Sequence, residues 1–100
     1  MPSANYTSKY SKDFFDELEE IVRSNPKIKG MVKKAIPIIL TNPFKDSSEF
    51  NIGGIVCRRK HIAAGQYRII YEVNQQNKEV KFFNLWLKNK GTYKNRPSAF

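Results

Sequence analysis

The spacing of hydrophobic residues changes once along the chain, from a helical period in the first forty or so positions to a strand-like period beyond them. From Lys12 to Ser24 the apolar residues Phe14, Phe15, Leu18, Ile21 and Val22 recur at intervals of three and four, the stripe of an amphipathic helix. Ser11 stands at its N-cap position, and Asp13 falls in the first turn, where the helix dipole favours an anion. Asp16, Glu17, Glu19 and Glu20 fill the other faces and are expected to be solvated. Asn25-Pro26 interrupts the pattern, because the residue before a proline avoids the helical region. A second helix is expected from Lys27 to about Thr41, with Ile28, Met31, Val32, Ala35, Ile36, Ile39 and Leu40 on its apolar stripe. Pro37 removes one backbone bond there, so a kink or an early end is expected at that point. Ile36 to Leu40 could instead form a strand, but the three-four spacing continues through the proline and favours the helix. Asn42-Pro43 closes this segment, and the two helices form an antiparallel hairpin.

Residues Phe44 to Gly54 read as a polar loop in which Phe50 and Ile52 either tuck under or begin a strand. Ile55 to Val73, IVCRRKHIAAGQYRIIYEV, places two strand-like runs around Ala63-Ala64-Gly65, a β-hairpin signal. In the second run Tyr67, Ile69, Tyr71 and Val73 share an apolar face, leaving Arg68, Ile70 and Glu72 on the other. After a polar turn at Asn74–Asn77, Glu79 to Leu87 (EVKFFNLWL) has high strand propensity. Strict alternation groups Lys81, Phe83, Leu85 and Leu87 against Val80, Phe82, Asn84 and Trp86, so both faces are largely apolar and the strand is expected to be central or covered on both sides. Trp86 reads as core, and Asn5 to Ser8 could add a short edge strand. The expected fold class is α+β: an N-terminal helical hairpin packed on a twisted antiparallel sheet of about four strands. Residues 1–100 fit one domain, with 1–3 and 95–100 expected to be flexible.

Charge changes this picture more than composition does. Residues 1–50 hold eight Lys/Arg against seven Asp/Glu, whereas residues 51–100 hold ten against two, so nearly all of the net +9 lies in the strand half. Such asymmetry points to a polyanionic partner: nucleic acid first, an acidic protein second, a membrane surface third. No apolar run reaches the roughly 20 residues of a membrane span and no signal-peptide core is present, so a cytoplasmic protein without a membrane partner is expected. Cys57 is the single cysteine, which excludes an intrachain disulfide and suits a small buried hydrophobe. With one histidine, no glycine-rich phosphate loop and no nucleophile elbow, neither a metal nor another cofactor is expected.

The charge is densest on the hairpin, where Arg58, Arg59, Lys60, His61 and Arg68 have only Glu72 near them in sequence. If three residues form the loop, Ile62 pairs with Gln66, Lys60 faces Arg68 and Arg58 faces Ile70. Like charges directly across a strand pair are destabilising, and an anion bound at that face explains their presence. A metal-free cationic site suits cleavage of RNA by its own 2′-hydroxyl, since the substrate then carries the nucleophile. The protein need only remove that proton, stabilise the phosphorane and protonate the leaving 5′-oxygen. Arg68, Lys60, Tyr93, His61 and Lys88 are residue types able to do this.

The segment Gly65 to Val73, with a basic strand before it and an aromatic strand and K-x-K-x-x-Y tail after it, resembles the RelE/ParE superfamily of bacterial and archaeal toxins. The likeness spans about residues 5–94 and includes both helices. It implies a helical hairpin against a four-stranded antiparallel sheet and, for the RelE-like branch, metal-free cleavage of messenger RNA on the ribosome with contacts to 16S ribosomal RNA. It also implies a cognate antitoxin partner. By the same resemblance Arg68 is the phosphate-stabilising arginine, Tyr93 the near-C-terminal tyrosine that stacks on substrate or moves a proton, and Lys88 or Lys90 the basic residue after the last strand. Lys60 joins the catalytic set, with Arg58, Arg59, His61, Lys90 and Lys94 as RNA-binding residues. A three-residue turn selects Arg58 and Lys60 as the pair beside Arg68, while a turn one residue longer selects Arg59 and His61. Neither register leaves a wholly apolar core face, so one cation must escape at a bulge or the sheet edge. Two other functions fit the same chain: a ParE-like gyrase poison and a non-catalytic nucleic-acid-binding module.

Overall fold

A computed structural model describes residues 6–52 and 54–87 of the protein. The elements run in the order β1 (Thr7–Tyr10), α1 (Lys12–Ser24), α2 (Lys27–Thr41), β2 (Ser48–Ile52), β3 (Ile55–Ile62), β4 (Tyr67–Asn74) and β5 (Glu79–Leu87). Ser11 is the joint between the first strand and the first helix. Its backbone N–H donates to the Phe82 carbonyl at 3.0 Å. Its hydroxyl accepts from the Phe14 N–H at 3.1 Å, as an N-cap should, and donates to the Phe83 carbonyl at 2.5 Å. The helix α2 continues through Pro37 to Thr41 and does not end early. Pro37 and Lys33, whose carbonyl loses its partner, both lie on the solvent side of the helix, where water can replace the bond.

The strands form one five-stranded sheet in the order β1-β5-β4-β3-β2. The expected α+β class, two helices packed on one sheet, is what the chain adopts; the sheet has five strands in place of about four, and one of its pairs is parallel. Of the two readings of 44–54, the one in which Phe50 and Ile52 begin a strand holds: β2 pairs antiparallel to β3 from Ser48↔Arg59 to Ile52↔Ile55, and β1 pairs parallel to β5. The sheet is therefore mixed. The four residues of β1 carry too little pattern to reveal a partner some seventy positions away, and β2 becomes legible only once β3 supplies its ladder.

One sheet face is covered by the helices. Phe14 of α1 and Ile28, Val32, Ala35 and Ile39 of α2 pack on Ile62, Ile69, Tyr71, Val80, Phe82 and Leu85. The other face has its own apolar cluster, built from strands alone: Cys57, Ile70, Phe83 and Trp86, flanked by Phe50 and Ile55. A bulge explains how β5 serves both faces. Ile70 pairs with Asn84 and Tyr71 with Phe82, so Phe83 is an extra residue and the alternation flips there. The expected grouping of Phe83 with Leu85 is thereby overturned, since Leu85 packs under the helices and Phe83 on the opposite side.

Candidate nucleic-acid-binding face

The register of the hairpin decides which cations stand together. Ile62 pairs with Tyr67, so the loop holds the four residues Ala63 to Gln66, the longer of the two turns that the sequence allows. Ala63 (φ 53°), Ala64 (φ 56°) and Gly65 (φ 86°) all take left-handed backbone conformations, and the loop closes by bonds from the Gly65 N–H to the Ile62 carbonyl and from the Gln66 N–H to the Ala63 carbonyl, both 3.1 Å. The extra loop residue shifts every pair by one and exchanges the faces of β3. Lys60 therefore pairs with Ile69 and Arg58 with Tyr71, on the helix side. His61 pairs with Arg68 and Arg59 with Ile70, on the open side.

On the open face, His61 of β3, Arg68 of β4 and Trp86 of β5 form one row across three strands. The next row is Ser48, Arg59, Ile70 and Asn84, from β2 to β5. The Arg59 Nε donates to Ser48 Oγ at 3.0 Å, and its guanidinium lies over the Phe50 ring, 5.3 Å from the ring centre and within the roughly 6 Å over which such stacking is favourable. Both contacts orient the guanidinium without neutralising it. The carboxylate on this stretch of β4 is Glu72, two positions along from Ile70 and paired with Lys81. The face thus carries clustered cations on an apolar floor, an arrangement suited to phosphates and stacked bases.

Arg58 is occupied differently. Its Nε donates to Ser47 Oγ at 2.8 Å, one Nη donates to the Ser47 carbonyl at 3.1 Å, and the guanidinium lies 5.1 Å from the Phe44 ring centre. Glu49 lies 3.7 Å from the other Nη. Beside it the Tyr71 hydroxyl donates to the Pro43 carbonyl at 2.7 Å, and burial pushes the Tyr71 phenol above its ordinary pKa. Arg58 and Tyr71 together bolt the segment that follows α2 onto the sheet. Burial also raises the Cys57 thiol to about 11, which keeps it protonated and unreactive. Lys88, Lys90, Tyr93 and Lys94 lie outside the described residues.

One residue escaped sequence reasoning. Glu17 is not part of a solvated acidic face, as expected, but reaches the edge of β5. Its Oε1 accepts from the Leu85 N–H at 2.9 Å and from Asn84 Nδ2 at 3.0 Å, and its Oε2 accepts from Trp86 Nε1 at 3.1 Å. Desolvation raises its pKa, against these hydrogen bonds, and nearby Asp13 adds to the rise. No local signal separates Glu17 from Asp16, Glu19 or Glu20, because its partners lie 67 to 69 positions away.

No helix among the described residues is long and apolar enough to cross a membrane. No family model and no curated protein matches the chain. Among solved structures, a chain of the archaeal RelE–RelB complex from Pyrococcus horikoshii superposes with a TM-score of 0.64 at 22% identity, over 87% of this chain and 99% of that one. A chain of the toxin–antitoxin complex RelBE2 from Mycobacterium tuberculosis superposes with a TM-score of 0.66 at 15% identity, over 83% and 98% respectively. In both cases nearly the whole of the matched chain is covered, helices and sheet together, and the chain therefore has the RelE-like fold.

Proposed function

We propose that this chain is the toxin of a toxin–antitoxin pair and a metal-independent endoribonuclease that cleaves messenger RNA on the ribosome. The observation that carries the reading is the hairpin register, which sets His61 opposite Arg68 and Arg59 one row away on the same open face. Arg68 holds the scissile phosphate and balances the charge that develops on the phosphorane. Arg59, oriented by Ser48 and Phe50, binds an adjacent phosphate. His61, exposed beside Arg68, moves the proton of the 2′-hydroxyl or of the leaving oxygen. Lys88 and Tyr93, assigned by the family resemblance, supply the remaining proton transfer and base stacking from the tail beyond Leu87, where Lys90 and Lys94 add backbone contacts. Lys60 and Arg58, paired with helix-side residues, stand apart from this row.

The RelE-like fold supports the toxin role, as does the fact that the structures it matches are described as RelE–RelB and RelBE2 toxin–antitoxin complexes. An antitoxin is the expected partner, and its binding to the purified chain is measurable by titration calorimetry. The mechanism is tested by brief expression of wild type and Arg68→Ala followed by primer-extension mapping of transcripts. Wild type should produce cuts at fixed codon positions, and Arg68→Ala should lose at least about a hundredfold of that activity, the scale of removing one charge-stabilising donor. Undiminished cleavage by Arg68→Ala would refute the mechanism. Inhibition of gyrase supercoiling without transcript cleavage would replace it with the ParE-like reading.

A further inference from the structure

The open edge of β5 supplies a residue that neither the family resemblance nor the cationic pattern picks out. Pairing with β1 covers β5 only from Glu79 to Phe82, and the ladder ends where Ser11 turns into α1. From Phe83 onward, no strand among the described residues neighbours the side of β5 away from β4, and its outward N–H at Leu85 needs an acceptor. The helix α1 crosses this edge, and Glu17 provides that acceptor with one oxygen while the other holds the Trp86 indole N–H. Asn84 Nδ2 lies 3.0 and 3.2 Å from the two oxygens and spans both. One carboxylate thus fixes the backbone at Leu85 and the side chains of Asn84 and Trp86.

Two of those residues belong to the rows of the cationic face. Trp86 is the cross-strand partner of Arg68, and Asn84 that of Ile70 in the Arg59 row. Trp86 is 7% exposed, so its indole is a packed wall and not a mobile surface group. We infer that Glu17 is a positioning residue of the proposed nuclease: from α1 it locks Trp86, and through Trp86 it sets the geometry of the Arg68 row. The inference rests on the functional reading above and extends it to a helix with no cation of its own on that face.

The Glu17→Gln variant separates this role from edge capping. The glutamine carbonyl oxygen still accepts from the Leu85 N–H, but its NH₂ meets the indole N–H as donor against donor. The Trp86 arm is therefore lost while the backbone arm remains. Trp86 is the chain's single tryptophan, so its emission reports that arm directly. Wild type, Glu17→Gln and Glu17→Ala are compared by Trp86 emission, thermal melting and single-turnover cleavage of messenger RNA on programmed ribosomes. Glu17→Gln should shift the emission, melt near wild type, and lose roughly tenfold in kcat with KM within about twofold, the signature of misplacement and not of weaker binding. A Glu17→Gln protein that shifts the emission yet cleaves like wild type would overturn the inference alone. So would one that melts as early as Glu17→Ala, since the residue would then be purely structural. Cleavage absent from wild type itself would overturn the functional reading, and this inference with it.

Discussion

Replacing Arg58 and replacing Arg59, neighbours in sequence, should have opposite consequences. Arg58→Ala removes two hydrogen bonds from a charged donor to Ser47, at 2.8 and 3.1 Å, and the stacking of the guanidinium on Phe44. The side chain is 16% exposed, so water cannot replace these bonds fully. Charged hydrogen bonds contribute about 1.5–3 kcal/mol each, and the stacking about 0.5–1 kcal/mol. The Glu49 ion pair adds little, since Glu49 is 63% exposed. Because the freed Ser47 groups lie near the surface, the lower ends of these ranges apply and the expected loss is about 3–4 kcal/mol. For a chain of this length each kcal/mol moves the melting temperature by about 4–8 °C, so Arg58→Ala should melt at least about 10 °C lower. Arg59→Ala loses a solvent-exposed bond to Ser48 and the stacking on Phe50, and should melt within a few degrees of wild type. Cleavage should show the reverse order: Arg59→Ala impaired while fully folded, Arg58→Ala active per folded molecule below its melting point. Calorimetry with the ribosome cleavage assay decides the matter. If Arg58→Ala melted like wild type and lost activity, the assignment of Arg58 to the scaffold would be wrong.

Two further expectations concern stability. Glu17 holds its proton more tightly in the folded chain than at its ordinary value of 4.5, so between 4.5 and its higher folded value the native state binds more protons than the unfolded one. The stability of wild type relative to Glu17→Gln should therefore be greatest below about pH 4.5 and decline as pH rises through that window; urea midpoints that rise together across it would contradict the desolvation of Glu17. Ala64 is exposed with φ 56°, a conformation that costs an L-residue about 1–2 kcal/mol and glycine almost nothing. After subtracting about 0.4–1 kcal/mol for the looser unfolded chain, Ala64→Gly should stabilise the protein by about 0.5–1 kcal/mol, and a lower urea midpoint would refute the four-residue loop geometry.

Local pattern determined a good deal of this protein by itself. The bounds of α1 follow from a three-four apolar stripe and a serine at the cap, and those of β3, β4 and β5 from propensity and turn residues, all interactions within a few positions of one another. The concentration of charge in the strand half was equally readable. Tertiary structure decided what depended on distant partners. One additional loop residue at Ala63–Gln66 chose Arg59 and His61 over Arg58 and Lys60, and with a side-chain period of two either choice satisfies the sequence pattern equally well. The bulge at Phe83 reassigned half of β5, β1 found a parallel partner across two helices, and Glu17 was separated from its acidic neighbours by donors on the last strand. Each of these is a contact between segments far apart in the chain, whose energy appears only when the segments meet, so no pattern within either segment could announce it.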